Sequence, residues 1–389
     1  MTAPADIRLC AYPWDVIGDP KAAERFASTG AGGVAMAAAY HSVRAATPLH
    51  PSHRVVNAAA AAVYFPVCAS AWAGLRLRPS EGHGWAGHDA FARASETLRA
   101  VGMSVESWLV LTHSAAVGSA HPDVAVRNAF GDIYPYALCP SSVDVVEYAA
   151  MCVAECARAT GTDTMMIEAC GPLGLGHQGH HEKTQGADWS EIDNALLSIC
   201  FCTACETAQT DRGLDIDHLR ARVSQAVGRG AITMEAALGD LAEVLLDIRT
   251  TARSSLATAV HRAGVENGVT RMNMHVQPDP WATGPFAALE GVAEIADGLV
   301  LPGHVALSAD DTMLDELRRR ARGGRVGGYL NALPPNELTD IEHRWPLVAS
   351  RLDDVYLYHA GLLSERRLDA LTRSIASTIQ DPKPHAVGL

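Results

Sequence analysis

The sequence lacks a hydrophobic run long enough to cross a bilayer. Its longest apolar stretches, such as residues 57–63, are far shorter than the ~20 residues that a membrane-spanning helix needs. The first fifteen residues, MTAPADIRLCAYPWD, contain no basic segment followed by an apolar one, so no secretory leader is expected. We therefore predict a cytoplasmic protein without a membrane partner.

Basic residues are also scarce, with 31 Lys and Arg against 44 Asp and Glu, which gives a formal net charge of -13. Nucleic acids and anionic membranes are not attracted to such a surface, so neither is expected as a partner. A neutral or cationic small molecule fits better, and self-association into a homo-oligomer stays open.

Several catalytic signatures are missing. The sequence has no G-x-S-x-G nucleophile elbow, no Walker loop and no kinase signature, and no strand-to-helix turn carries G-x-G-x-x-G. These absences argue against an α/β-hydrolase, a nucleotide hydrolase and a dinucleotide-dependent enzyme. What the chain does have is 48% hydrophobic and 19% charged residues over 389 positions, enough to bury a large core.

Short apolar segments closed by Gly, Pro or a polar residue alternate with stretches of helical spacing, as expected for buried parallel strands and their crossover helices. The predicted strands are Ile7–Pro13, Gly33–Tyr40, Val105–His113, Thr164–Ala169, Arg271–Gln277, Gly298–Pro302, Val326–Leu333 and Val355–His359. The predicted helices are Ala90–Ala100, Val143–Ala159, Ile216–Val227, Met234–Gly264, Phe286–Ile295, Asp310–Arg322, Trp345–Leu352 and Ser364–Thr378. Eight such repeats predict a (β/α)8 barrel over residues 1–380, with long loops after the second, third and fourth strands. Residues 381–389 are expected to form a loose tail.

Polar and aromatic residues accumulate where the predicted strands end, and in a barrel these ends meet at one mouth. The candidates for substrate binding are Tyr12, Trp14, Asp15, Tyr40, His41, His113, Asn128, His177, His180, His181, His275, His304, Asn331 and His359. Glu168 ends the apolar strand TMMIE, where an apolar pocket would raise its pKa and suit it to general acid catalysis. Asp279 is the first candidate for a second carboxylate, although an Asp between prolines is also an ordinary turn former. Asp15 and Asp132 are further possibilities for this role.

Three of the nine cysteines form the cluster Cys200-x-Cys202-x-x-Cys205, a spacing that lets three thiols face one point. A tetrahedral zinc ion needs four such ligands, and Cys139 is the best candidate for the fourth. We therefore predict a structural zinc site. The other cysteines lie in apolar contexts and are expected to be core residues.

The order Cys-Pro-x-Ser, helix, strand ending in Glu, loop and C-x-C-x-x-C resembles the glycoside hydrolase family 42 β-galactosidases over residues 121–205. The resemblance implies a (β/α)8 barrel, zinc ligands at the four cysteines named above, and an acid/base role for Glu168. This chain has Ile167 where that family has Asn, a longer loop before Cys200, and Asn331 but no carboxylate on the seventh strand. The segments YPWD, AYH, HP-x(5)-NAFGD and GHHEK also resemble an actinobacterial group of glycosidase-like barrels, which implies the fold but no particular activity.

Three functions remain open at this point. The first is a glycoside hydrolase that uses Glu168 as its general acid and base. The second is a lyase or isomerase acting on a sugar-like molecule through histidines and Lys183. The third is a sugar-binding barrel without catalysis. A second carboxylate about 5–9 Å from Glu168 would favour hydrolysis, and a metal on the His-rich loop would favour the second function.

Overall fold

The computed structural model describes residues 5–82, 84–176 and 183–380. Eight parallel strands, β1 to β8, form its central sheet, and they are Asp6–Ala11, Gly33–Tyr40, Ser104–Val110, Thr164–Glu168, Arg271–Gln277, Gly298–Pro302, Arg325–Asn331 and Asp354–Tyr358. Each strand pairs with the next along the chain, and β8 pairs with β1 in the register Asp6↔Asp354 to Leu9↔Leu357. The sheet is therefore a closed barrel, as the sequence predicted.

The strands form where the chain is apolar on both faces. All eight residues of β2, GVAMAAAY, are buried, because one face looks into the barrel and the other packs against helices. Small residues also allow the strands to approach closely. A side chain at Gly33 would place its Cβ 2.8 Å from the carbonyl oxygen of Ser104 on β3.

Fourteen helices lie in the described residues. In chain order, α1 to α14 are Ala22–Ala27, Ala90–Ala100, Ala115–Ala120, Val143–Thr160, Glu191–Leu197, Thr203–Asp211, Ile216–Ala226, Met234–Leu238, Leu241–Glu266, Gly303–Ser308, Asp311–Arg320, Leu338–His343, Trp345–Ala349 and Glu365–Gln380. Local sequence sets several of their ends. For example, α4 ends at Gly161, which adopts a left-handed φ of 62°. None of the helices in the described segments is long and apolar enough to cross a membrane.

Two predicted helices differ from the structure. The segment Phe286–Ile295 is not helical: Ala287–Ala288 pairs with β5, and turns follow it. Gly291 adopts a φ of 85° there, which a helix cannot contain. The helix predicted over Met234–Gly264 is divided into α8 and α9 at Gly239, whose φ is 63°.

The long connections after β2, β3 and β4 carry their own structure. The first contains a hairpin of Val43–Ala46 with Val55–Ala58, and the second a hairpin of Ala125–Arg127 with Ile133–Leu138. The third carries α5 to α9, whose inner faces bury a second, smaller apolar cluster beside the barrel core. The predicted tail, residues 381–389, lies outside the described residues.

Candidate active site

The candidate site lies at the carboxyl ends of the strands and is built around Glu168, the last residue of β4. Its side chain is only 8% exposed. The indole Nε1–H of Trp108, on the neighbouring strand β3, donates a hydrogen bond of 2.9 Å to Oε2 of Glu168. Nδ1 of His275, on β5, lies 4.0 Å from the same oxygen. Three adjacent strands thus hold one carboxylate and its two polar neighbours.

Burial raises the pKa of Glu168 to about 8, and the hydrogen bond from Trp108 opposes this effect only in part. A carboxylate pays a large desolvation cost when it ionises away from water, so the neutral acid is favoured. At neutral pH this side chain can therefore hold a proton and donate it.

Aromatic rings surround the carboxylate and form the wall of the mouth. The ring centroids of Tyr40 and Trp108 lie 4.8 Å apart, and those of Tyr12 and Tyr40 lie 5.0 Å apart, both edge to face. On the opposite side, Tyr329 and Tyr358 lie within 6.4 Å and 6.1 Å of Trp108. Apolar ring faces of this kind can stack against a sugar.

Two buried histidines belong to this wall. His275 stacks on Phe286 with ring centroids 4.4 Å apart, and His359 lies 4.1 Å from the ring of Tyr12. Burial lowers the pKa of each histidine to about 3, so both are neutral at physiological pH. In residues 5–82, 84–176 and 183–380, neither ring nitrogen of either histidine has a hydrogen-bond partner.

A second carboxylate, Asp15, lies in the turn that follows β1. It is 4% exposed, and the backbone N–H of Tyr12 donates a 2.7 Å hydrogen bond to its Oδ2. Nδ1 of His359 lies 3.8 Å from the same oxygen. Burial raises the pKa of Asp15 to about 7. Only a glycine fits at position 361, since a Cβ there would lie 2.0 Å from the carboxyl carbon of Asp15.

The wall continues towards the connection after β3. His41 stacks between Tyr40 and His113, with centroid distances of 4.3 Å and 4.5 Å. Nδ1 of His41 lies 2.8 Å from the carbonyl oxygen of Ser42. Trp14 stacks on Tyr12 at 4.5 Å. A chain of ring contacts thus connects the predicted residues at the ends of the first three strands.

No protein-family model and no curated protein sequence matches this chain. Among solved structures, it is similar to the catalytic domain of a β-amylase from Paenibacillus polymyxa, with a TM-score of 0.58 and 13% identity, over 98% of this chain and 100% of that one. The two proteins share the (β/α)8 barrel fold.

Two further glycoside hydrolases share this fold. The PgaB (BpsB) glycoside hydrolase domain from Bordetella bronchiseptica is 14% identical, with a TM-score of 0.54, over 96% of this chain and 99% of that one. An α-L-fucosidase isoenzyme from Paenibacillus thiaminolyticus is 11% identical, with a TM-score of 0.57, over 96% of this chain. This chain spans about half the length of the fucosidase, since it covers 49% of it. At such identities the similarity establishes the (β/α)8 barrel fold alone.

Other candidates from the sequence lie apart from this wall. Asp279 is exposed and accepts the backbone N–H of Trp281 in a turn. His304 and Asn331 are exposed, and Asn331 Oδ1 accepts the N–H of Leu333. His177, His180 and His181 lie outside the described residues, and Lys183 is exposed.

Asn128 is buried in the turn of the second hairpin, where its own side chain organises the backbone. Its Oδ1 accepts the N–H groups of Phe130 and Asp132, and its Nδ2 donates to Asp132 Oδ2 and Tyr134 Oη. A side-chain amide offers two donors and a two-fold acceptor, so these four bonds use its full capacity. Nothing remains for a substrate hydroxyl.

The four clustered cysteines form a second candidate centre, outside the wall around Glu168. The Sγ atoms of Cys139, Cys200, Cys202 and Cys205 are buried and lie within 4.8 Å of one another. Tetrahedral zinc, with Zn–S bonds of about 2.3 Å, separates its sulfur ligands by about 3.8 Å, so the donor set fits this ion. The cluster joins the connection after β3 to the connection after β4.

The sequence did not identify Trp108 and Tyr329 as site residues. Trp108 lies two residues after Glu106 on β3, and Tyr329 two residues before Asn331 on β7. Side chains alternate along a strand, so residues two apart share a face. The apolar strand pattern does not distinguish the inward face from the outward one, because both faces of a barrel strand are buried.

Proposed function

We propose that this protein is a glycosidase that acts on a small neutral sugar or glycoside, with Glu168 as the general acid and base. The observation that carries the proposal is the buried Glu168 carboxylate, with a pKa of about 8, inside a wall of aromatic rings at the barrel mouth. The shared glycoside hydrolase fold is consistent with it. The resemblance to family 42 supports the same role for Glu168 and stays a prediction.

In this proposal, Glu168 donates its proton to the glycosidic oxygen as the bond between that oxygen and C1 breaks and a second carboxylate forms a bond to C1. The resulting Glu168 carboxylate then removes a proton from a water molecule, whose oxygen displaces the second carboxylate at C1. The Trp108 N–H holds Oε2 in place and stabilises the negative charge during the second step. The buried rings of Tyr12 and Tyr40 would shape the wall beside the sugar.

Glycoside hydrolysis also needs a second carboxylate. Asp279 was predicted for this role, but it is exposed in a turn. Asp15 is the better candidate because it is buried beside Tyr12 and His359, on the same face of the barrel as Glu168. An ionised Asp15 and a protonated Glu168 coexist best between about pH 7 and pH 8. The rate should therefore reach its maximum in that interval.

A second function is favoured by the pairing of Glu168 with a neutral histidine. The Nδ1 atom of His275 lies 4.0 Å from Glu168, and burial keeps the imidazole unprotonated. A carboxylic acid and a neutral imidazole could move protons between neighbouring carbons of a sugar-like molecule. An isomerase or lyase of this kind would release no free aglycone.

The test is the substitution Glu168→Gln, assayed on aryl and alkyl fucosides, galactosides and glucosides. Gln keeps the shape but cannot transfer a proton, so kcat on alkyl glycosides should fall about 10²–10⁴-fold. Aryl glycosides should lose less, because their leaving groups need less protonation. A variant that keeps more than about a third of the wild-type kcat on alkyl glycosides would exclude Glu168 as the acid. Wild-type protein that binds sugars but cleaves none would favour the binding or isomerase functions.

We also propose that Cys139, Cys200, Cys202 and Cys205 hold one structural zinc ion. Four thiolates would close the coordination shell, so this ion would stabilise the fold and would not activate water. Elemental analysis should find one zinc per chain. The substitution Cys202→Ser should lower both the zinc content and the melting temperature, while Cys156→Ser, in a cysteine outside the cluster, should leave the zinc content unchanged. Zinc below about a tenth of an equivalent in carefully purified wild-type protein would contradict this assignment.

A further inference from the structure

A cavity lies beside the candidate site and shares Trp14 with it. It has a volume of about 510 Å³ and is lined by the connection between β2 and β3. That size falls within the roughly 300–1,000 Å³ of small-molecule sites in proteins. Trp14 forms part of its lining and also stacks on Tyr12, so one indole ring borders both the cavity and the aromatic wall around Glu168.

Two polar atoms in the lining are buried without a partner. Trp14 is 3% exposed and Tyr64 is 5% exposed, and within the described part of the chain neither Trp14 Nε1 nor Tyr64 Oη makes a hydrogen bond. Buried polar groups are normally paired, since leaving one unpaired costs free energy. Two residues with such atoms in one cavity lining indicate a hydroxyl-rich ligand that forms hydrogen bonds with these atoms.

The rest of the lining suits the same kind of ligand. Trp85 is 40% exposed, and its ring stacks on His53 with centroids 3.7 Å apart, which leaves a flat apolar surface at the rim. The Glu81 carboxylate also lines the cavity, and its Oε1 accepts the N–H of Val67. One carboxylate in the wall disfavours anionic sugars such as uronates.

We propose that this cavity is a second carbohydrate subsite, which binds a neutral sugar ring joined to the ring that is held at Glu168. The inference rests on the proposed function, and it implies that the substrate has at least two sugar rings. Trp85 supplies a stacking face, while Trp14 and Tyr64 provide hydrogen bonds to hydroxyl groups.

Two variants test the subsite through binding as well as turnover. Trp85→Ala removes the stacking face at an exposed position. Tyr64→Phe removes only the unpartnered hydroxyl, so the fold should keep its stability or gain a little. Phe130→Ala is the matched control, since Phe130 is an aromatic residue with 55% exposure in the turn of the second hairpin.

Binding of the disaccharides maltose, cellobiose and lactose to the protein is measured by calorimetry and compared with binding of glucose and galactose. The kcat and KM values of aryl disaccharides are compared with those of aryl monosaccharides. Wild type should bind at least one disaccharide more tightly than its component monosaccharides. Trp85→Ala should weaken the affinity for that disaccharide about three- to tenfold and change the affinity for the monosaccharides less than about twofold. Tyr64→Phe should act in the same direction, and Phe130→Ala should have no effect.

The outcomes separate the two proposals. A disaccharide advantage that Trp85→Ala abolishes, in a protein that cleaves nothing, would support the subsite and remove the hydrolase assignment. Equal losses for monosaccharides and disaccharides, no disaccharide advantage in wild type, or no binding of any of these sugars would overturn the subsite.

Discussion

The two ends of the barrel each bury a glutamate, and burial raises the pKa of both, to about 7 for Glu106 and about 8 for Glu168, but the two side chains have different neighbours. Towards the amino ends of the strands, Glu106 of β3 is fully buried, and the Tyr356 hydroxyl donates its single O–H to the carboxylate, with Oη 3.1 Å from Oε1 and 3.0 Å from Oε2. Arg8 Nε lies 3.2 Å from Oε2. At the mouth, Glu168 has one hydrogen bond among the described residues, from Trp108, and no Lys or Arg of that part of the chain forms an ion pair with it.

The same contrast runs along a single strand, β5. Asn273 Nδ2 donates a 2.6 Å hydrogen bond to Tyr356 Oη, although its Oδ1 has no partner among the described residues. His275, two residues later, has no partner for either ring nitrogen in the same part of the chain. Buried groups that are paired hold a structure together, and buried groups that are left unpaired are available for a ligand. The amino ends of the strands therefore stabilise the barrel, and the carboxyl ends carry the candidate active site.

The largest expected effect is a loss of stability at the amino ends of the strands, where Glu106 faces Arg8 and Tyr356. Burial raises the pKa of Glu106 to about 7, so its charge is fully present only above that pH. At about pH 8, Glu106→Gln removes the charge that faces Arg8 and should lower the free energy of unfolding by about 3 kcal/mol, as expected for breaking a buried ion pair. Denaturant titration measures this loss directly. The folded fraction of the variant should keep the wild-type kcat. A variant as stable as wild type would show that the ion pair does not contribute to stability. It would contradict the view that the amino ends of the strands stabilise the barrel.

An effect of opposite sign is expected for Glu168→Gln. The pKa of Glu168 rises from an ordinary 4.5 to about 8 on folding. Between these values the folded chain holds a proton that the unfolded chain has released, so wild-type stability falls as pH rises. Gln does not titrate, so the stability of the variant relative to wild type should rise across this pH interval.

Thermal unfolding at a series of pH values tests this predicted pH dependence of stability. The difference in melting temperature between Glu168→Gln and wild type should be near zero at pH 4, should grow from about pH 4.5 to about pH 8, and should then level off. A constant difference at all pH values would mean that Glu168 is not held neutral by burial.

The sequence predicted the barrel well because its strands leave a strong signal. Gly33–Tyr40, Arg271–Gln277 and Gly298–Pro302 were placed with the bounds that the structure shows. The error at Phe286–Ile295 has a local cause. The apolar spacing there imitates a helix, but Gly291 packs against α9, where a Cβ would lie 2.9 Å from the carbonyl oxygen of Thr250.

The site was predicted in part. The ends of the strands identified Glu168, Tyr12, His275 and His359 as neighbours at one mouth, because the barrel topology requires it. Which carboxylate accompanies Glu168 could not be read from the sequence. Asp15 and Asp279 both lie in turns beside prolines, and only the three-dimensional packing buries one and exposes the other.

The pairing of β8 with β1 has a consequence for synthesis on the ribosome. Seven strands emerge before β8, yet His359, which follows β8, contacts Tyr12, which follows β1. The first and last parts of the wall are therefore made several hundred residues apart and meet only after β8 has left the exit tunnel. Until then β1 has a free edge, and we expect the nascent chain to depend on chaperones for as long as that edge stays open.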